Sequence, residues 1–437
     1  MKHRFALFAI LLAARGAVAQ EPVLRLTLEA AIVRGLSNSH RLAELTARKE
    51  GAEAAEAGRA AAGMPSVALA GDYARTNHVD EFGIAQPGQP ARIIYPDIPD
   101  NYAARLDLKW PVYSGGRTDA LERAAAAERQ AAGEDLAAAR ADLRLEIARA
   151  FWALVSAIET ERVLTRSLDS IGAHLRDLSS RLEQGLIPPN DVLSADAQQS
   201  RQRVLAIEAR NTRFICEADL RRLIGLDTVE RLDPDATLDG ARAPPSSPEA
   251  LLADARARRP ERRALAGRTE ASRAREDAVA AGARPQVGML AGYDYARPNA
   301  RIFPRQGTWK DSWDVSVNVS WLLWDGGRRR AEYAEAGAAS RALEARAADF
   351  DRQIAFEVRQ RWLELDSSRA TISAAADGVR SATEARRVVG ERFRVGVITS
   401  TDVVYADLGV LQAELDLTRA RANARLAEAR LDRAVGK

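Results

Sequence analysis

A single cysteine, Cys216, in 437 residues excludes an intramolecular disulfide and a thiolate metal centre, and leaves that thiol as a small apolar packing residue. Histidine is almost as scarce. His3, His40, His78 and His174 stand far apart with no metal-ligand spacing among them, so scattered surface positions are expected and a metal site is not. No nucleophile elbow, phosphate loop or G-x-G-x-x-G is present, which removes the usual signatures of an enzyme or a nucleotide cofactor. An excess of one charge is also missing: 64 Lys and Arg against 61 Asp and Glu give a formal +3. The bases are spread along the chain and are not interleaved with aromatics, which argues against nucleic acid as a partner. After the first 19 residues no stretch approaches the roughly 18 apolar residues that a membrane-spanning helix needs. If this chain crosses a bilayer, it must do so with strands.

What is present begins with a leader. Lys2, His3 and Arg4 precede the apolar run Phe5 to Ala14, and Ala17-Val18-Ala19 stand before Gln20. That order predicts a secretory signal peptide over 1–19; an amphipathic first helix fits worse, because the run has no polar face. No cysteine stands at the cleavage point to accept a lipid. Beyond it, alanine and arginine dominate, charged residues reach 29% and aromatics only 5%, a composition suited to long exposed helices.

The sequence is written twice. WPVYSGGR (Trp110 to Arg117) recurs as WLLWDGGR (Trp321 to Arg328), and RLEQGLIPPNDVLSAD (Arg181 to Asp196) recurs as RFRVGVITSTDVVYAD (Arg392 to Asp407). Met64-Pro65-Ser66-Val67 likewise parallels Arg284-Pro285-Gln286-Val287. The expected layout is a first repeat over 20–226 with a strand pair in 65–113 and a turn at 185–191. A proline-rich linker over 227–248 follows, then a second repeat over 249–437 with a strand pair in 285–324 and a turn at 396–402. Each half reads helix, strand pair, very long helix, tight turn, helix. Leu164, Leu168, Ile171, Leu175, Leu178 and Leu182 alternate steps of four and three, as do Val404, Leu408, Leu411 and Leu415, so coiled-coil packing is expected. From Thr118 to Gln184 there is no proline, and a continuous helix there would reach about 100 Å.

The strands differ in kind. Trp313, Val315, Val317, Val319, Trp321 and Leu323 alternate with Asp314, Ser316, Asn318 and Ser320. Leu106, Leu108, Trp110 and Val112 alternate with Arg105, Asp107 and Lys109. Strands over Tyr102–Tyr113 and Trp313–Trp324 would have the apolar-out, polar-in pattern and the roughly 9–11 residue length of tilted membrane strands. A soluble sheet with one face on a core is the competing origin; the leader, and the lack of any other apolar layer to cover these faces, favour the membrane. Four strands leave open edges that cannot face lipid, so other copies must complete the barrel. The segments 76–101 and 296–312 suit loops without assigned chemistry. At the turns, Gly185 and Gly396 suit left-handed helix caps, Thr399 or Ser400 can cap the next helix, and Asp191 and Asp402 suit its positive end. Capping alone accounts for these aspartates as well as a gating role does.

With these motifs the chain resembles the TolC-like outer-membrane efflux proteins over its whole length after the leader. The resemblance rests on the SGGR and DGGR joints and on the two turns with Gly185 before Asp191-Val192-Leu193 and Gly396 before Asp402-Val403-Val404. It implies a mixed α and β membrane protein: a homotrimer whose four-stranded contributions close a transmembrane β-barrel on top of a long α-helical coiled-coil barrel, with a two-fold internal repeat. It further implies a channel at the outer membrane, not an enzyme, with outer-membrane lipid, a periplasmic adaptor and an inner-membrane pump as partners. Gly185, Leu186, Ile187, Asp191, Val192, Arg392, Phe393, Gly396, Val397, Ile398, Asp402 and Val403 would form the periplasmic gate and adaptor contact, with Leu186-Ile187 and Val397-Ile398 at an exposed tip. Leu106, Leu108, Trp110, Trp313, Val315, Val317, Val319 and Trp321 would face lipid. Ser194 and Tyr405 stand where some relatives carry a second aspartate, which weakens any acidic gate. A periplasmic coiled-coil adaptor or scaffold is the alternative, one that has no use for the Trp313 segment.

Overall fold

A computed structural model of the protein describes residues 23–437 apart from 228–230, 241 and 244–246. The expected signal peptide lies outside these residues, as does part of the expected linker. In chain order the elements are β1 (Val23–Leu26), α1 (Leu28–Asn38), α2 (His40–Ala61), β2 (Ser66–Arg75), β3 (Phe82–Ile84), β4 (Arg92–Tyr95) and β5 (Asp100–Tyr113). There follow α3 (Arg117–Glu183), α4 (Pro189–Ile224), β6 (Arg231–Pro234), α5 (Pro248–Arg258) and α6 (Pro260–Ala280). The last are β7 (Gln286–Arg297), β8 (Lys310–Ser320), α7 (Arg328–Arg394) and α8 (Ser400–Val435). The two long helices α3 and α7 have 67 residues each and α4 and α8 have 36 each, so helix–turn–helix segments of equal length occur in both halves. The chain divides into a strand-bearing unit (40–141, 247–359 and 434–437) and a turn-bearing unit (up to 39, 142–246 and 360–433).

In the strand-bearing unit, β2, β5, β7 and β8 form one antiparallel sheet in that order. Its register aligns Leu69, Leu106, Tyr293 and Trp313 in one row and Val67, Leu108, Ala291 and Val315 in the next, so the apolar sets of four strands share a face. β8 ends at Ser320, short of the expected Trp324. The cause lies on the neighbouring strand: Ser320 pairs with Gln286, and the next partner, Pro285, has no N–H to extend the ladder. Trp321 therefore leaves the sheet, and its indole Nε1 donates to the Ala283 carbonyl at 3.0 Å. The 76–101 segment is not all loop, since β3 and β4 pair within it. At the sheet-to-helix joint Gly115 has φ +70°, and a Cβ there would stand 2.8 Å from the Ala281 carbonyl oxygen, so backbone packing reserves the position for glycine.

Helix α6 packs closely on the part of α3 in the same unit: a Cβ on Gly267 would meet the Ala127 carbonyl at 3.1 Å and Ala131 Cβ at 3.4 Å. Small residues bring the backbones together, and charged pairs flank them. On one side Arg263 pairs with Glu134 and Arg275 with Glu128, both at 2.9 Å. On the other, Arg262 reaches Asp351 at 2.7 Å and Arg273 reaches Glu344 at 2.6 Å on α7. These pairs are largely hydrated and each is worth about 0–1 kcal/mol, so they fix helix register more than they add stability.

The turn-bearing unit has an apolar core of its own. Ile147, Phe151, Leu154, Leu220, Ile224 and Leu365 are fully buried. The expected stripes meet: Val163 and Leu164 of α3 pack with Ala209 of α4 and Leu411 of α8, joined by Leu408 and Leu415. A further finding is that β1 and β6 form a parallel pair, Leu24 opposite Leu232, which places a strand in the stretch expected to be linker.

Candidate functional site

Two surfaces gather the residues singled out by sequence, one in each unit. The first is the sheet. Trp313, Val315, Val317 and Val319 all lie on one face and are highly exposed, 67% for Val317. Leu106 and Trp110 on β5 are exposed on the same face and Leu108 is half-buried. Rings collect toward one end: Tyr73 lies 5.0 Å from Tyr102, Tyr102 5.9 Å from Trp309, and Trp309 stacks on Tyr295 at 5.0 Å. Trp110 and Tyr113 occupy the other end of β5. An exposed apolar band with aromatic residues at both ends is the pattern that lipid-facing strands carry, and water is a poor solvent for it. The opposite face carries Asp107, Asp294 and Asp314, each in contact with Arg105. Neither β2 nor β8 has a second partner strand among the described residues, so both edges present unpaired backbone.

The second surface joins the two turns. Gly185 has φ +69° and Gly396 φ +74°. Gly185 N donates to Leu182 O and Leu186 N to Arg181 O, both at 2.9 Å; Gly396 N donates to Phe393 O and Val397 N to Arg392 O, both at 3.0 Å. Each is a complete Schellman cap, so Arg392 and Phe393 act here first through their carbonyls. Beneath the turns Leu178, Ala195 and Val404 form a buried cluster that Ile187, Val192 and Phe393 pack against. The apolar residues of the tip thus divide: Leu186 (67%) and Val397 (70%) are exposed as expected, whereas Ile187 and Ile398 are half-buried, as is Val403.

The aspartates also divide. Thr399 and Asp402 form a capping box: the Asp402 carboxylate accepts from Thr399 N at 3.0 Å and Thr399 Oγ1 at 2.8 Å, and Asp402 N faces Thr399 Oγ1 at 3.4 Å. These hydrogen bonds hold its carboxyl below the usual range. Asp191, in the matching place, follows Pro188, which supplies no side-chain cap. Ser400, the other expected cap, is buried instead, and its Oγ lies 3.2 Å from His174 Nε2. His174 is therefore not a surface residue. Its ring stands 5.5 Å from Phe393, and the Arg181 guanidinium lies 4.8 Å from that same phenyl ring. Burial, against the pull of Asp407 and Asp177, pushes His174 down and keeps it neutral at neutral pH, while burial pushes Asp407 up despite Arg386 at 3.0 Å. No sequence motif announced this His174–Ser400 contact, because its partners are 226 residues apart. Among the described residues no cluster of His, Cys, Asp and Glu could hold a metal.

A long-helix protein with one exposed apolar sheet and paired helical turns is the architecture of an outer-membrane exporting channel. The chain belongs to the outer membrane efflux protein family, whose profile matches residues 31–226 and 251–437. The family is one of efflux channels, not of enzymes. Outer membrane protein TolC of Vibrio cholerae is 26% identical over 345 residues, 77% of each chain. Two solved structures share the fold: the outer membrane protein VceC of Vibrio cholerae, at TM-score 0.78 and 21% identity over 94% of this chain and 96% of that one, is the first. The second is the open-state MtrE outer membrane channel of Neisseria gonorrhoeae, at TM-score 0.78 and 18% identity over 94% and 88%.

Proposed function

We propose that the chain is one subunit of a homotrimeric exit duct. It is exported by the signal over 1–19 and passively conducts substrates from an inner-membrane pump and its periplasmic adaptor to the exterior. The observation that carries this reading is the four-stranded sheet with an exposed apolar face, a charged opposite face and two open edges. In lipid such edges must be paired, and three copies would close twelve strands into one barrel with the charged face inside. The repeated motifs and equal helix lengths favour descent of the two halves, 20–226 and 249–437, from one duplicated unit. The long helices would form a tunnel. Mass measured in detergent is expected to give three subunits; a stable monomer that still binds membranes would overturn the proposal. A periplasmic adaptor would instead extract without detergent.

The two turns form the resting closure and the adaptor contact in this reading. Leu186 and Val397 are the exposed apolar residues that an adaptor would cover. Asp191 and Asp402, repeated around one opening, would attract cations and repel anions. Asp402→Ala is expected to raise single-channel conductance in planar bilayers and to weaken block by added cations. If both stay at the wild-type level in an intact trimer, Asp402 serves its capping box alone.

A further inference from the structure

We propose that Arg105 sets the ion selectivity of the barrel lumen, as the countercharge that three strands' carboxylates share; this rests on the reading of that face as the channel lining. Arg105 projects from β5 on the charged face and spans the width of β7. Its Nε reaches Asp107 Oδ1 at 2.8 Å, Nη1 reaches Asp294 Oδ2 at 2.5 Å, and Nη2 lies 3.5 Å from Asp314 Oδ1. One guanidinium thus serves carboxylates on β5, β7 and β8, a spread that its planar fork of five donors suits better than a compact ammonium.

The strand between makes room for it. Gly292 lies in the register row between Asp107 and Asp314. A Cβ there would stand 2.5 Å from Arg105 Nη2, 3.0 Å from Cζ and 3.0 Å from Asp314 Oδ1. The guanidinium lies where any larger residue would place its side chain. A second arginine completes the cluster: Arg301 Nη2 is 3.2 Å from Asp314 Oδ1, and its Nη1 donates to the Trp313 carbonyl at 2.6 Å.

The balance of charge follows from these contacts. Within this cluster two arginines against three carboxylates leave one negative charge in excess, and loss of Arg105 leaves two. The side chains are 20–51% exposed, so the cluster is within reach of water and of passing ions. Fixed charges on a channel wall act on ions that pass within the roughly 8 Å screening length of physiological salt, and low-dielectric surroundings focus the field. An arginine that merely tied strands together would leave the ion preference untouched when replaced. An arginine that trims the wall charge would not.

The test is the reversal potential of purified trimers in planar bilayers under a potassium chloride gradient. Arg105→Ala is expected to raise the cation-to-anion permeability ratio about twofold or more, with the change shrinking in molar salt. Arg105→Lys, which keeps the charge, should stay near wild type, and Asp314→Asn should shift the ratio toward anions. Should Arg105→Ala fail to form channels, the lysine and asparagine variants carry the test through their opposite expectations. Unchanged ratios in Arg105→Ala and Asp314→Asn, or a lysine variant that behaves like alanine, would overturn the proposal and leave the duct intact. Wild-type trimers that conduct nothing would instead overturn the duct reading beneath it.

Discussion

Arginine at Val317 is expected to prevent assembly at the outer membrane, while arginine at the adjacent Ser316 leaves assembly close to normal. Val317 is 67% exposed at mid-strand, on the face that carries Leu69, Leu106, Tyr293 and Trp313. Ser316 lies one residue away, on the face of Arg105 and the aspartates. In water the two substitutions would be nearly equivalent, since both side chains would reach solvent. In a bilayer they are not: a charge at the lipid-facing midplane costs about 2–4 kcal/mol per copy, and a lumen-facing one costs little. In a trimer the penalty is incurred three times in one assembly step. The measurement is the yield of trimer in the outer-membrane fraction. Equal tolerance at both positions would remove the membrane from the account of this sheet.

Leu178→Ala is the second large effect, expected to destabilise the turn-bearing end by about 2–5 kcal/mol. Leu178 is fully buried, and Ile187, Val192 and Phe393 all pack against the cluster it forms with Ala195 and Val404. Truncation leaves a cavity that joins both turns, so backbone amides at 186–192 and 397–404 should exchange hydrogen faster while those of the four-stranded sheet keep their rates. Leakage through the resting channel should rise with it. Leu193→Ala serves as the comparison, because Leu193 is 66% exposed and its loss should stay within about 0.5 kcal/mol. Unaltered exchange at both turns in Leu178→Ala would show that the buried cluster does not hold them.

Local chemistry made much of this fold legible. The stripe that includes Leu164 and the stripe of Leu408, Leu411 and Leu415 could be counted from spacing, and they meet as counted. Glycine before an apolar pair marked both helix caps, because only a left-handed residue closes that motif cheaply. What failed to show depends on distant neighbours. The end of β8 is decided by Pro285 on another strand, and the alternation through Trp321 and Leu323 continues past it unaffected. Strands as short as β3 and β6 carry no period of their own and exist only through their partners. His174 looked isolated because Phe393 and Ser400 reach it from helices far along the chain. The Arg105 cluster was likewise hidden: each charge could be assigned to a face, yet which carboxylates share one arginine is a matter of register between strands.

The two turns look alike but keep their shape by different means. The first enters its helix through Pro188 and Pro189, whose rings fix φ covalently, a restraint that neither acid nor salt removes. The second has in that place hydrogen bonds between Thr399 and Asp402. Because the Asp402 carboxyl is depressed in the folded chain, its contribution is complete above the ordinary carboxylate range and is lost as pH falls through the lowered value. Acidification therefore weakens the Asp402 capping box and leaves the proline restraint of the first turn in place. A trimer would then have six turns of which only alternate ones soften, so that its mouth yields with three-fold rather than six-fold symmetry.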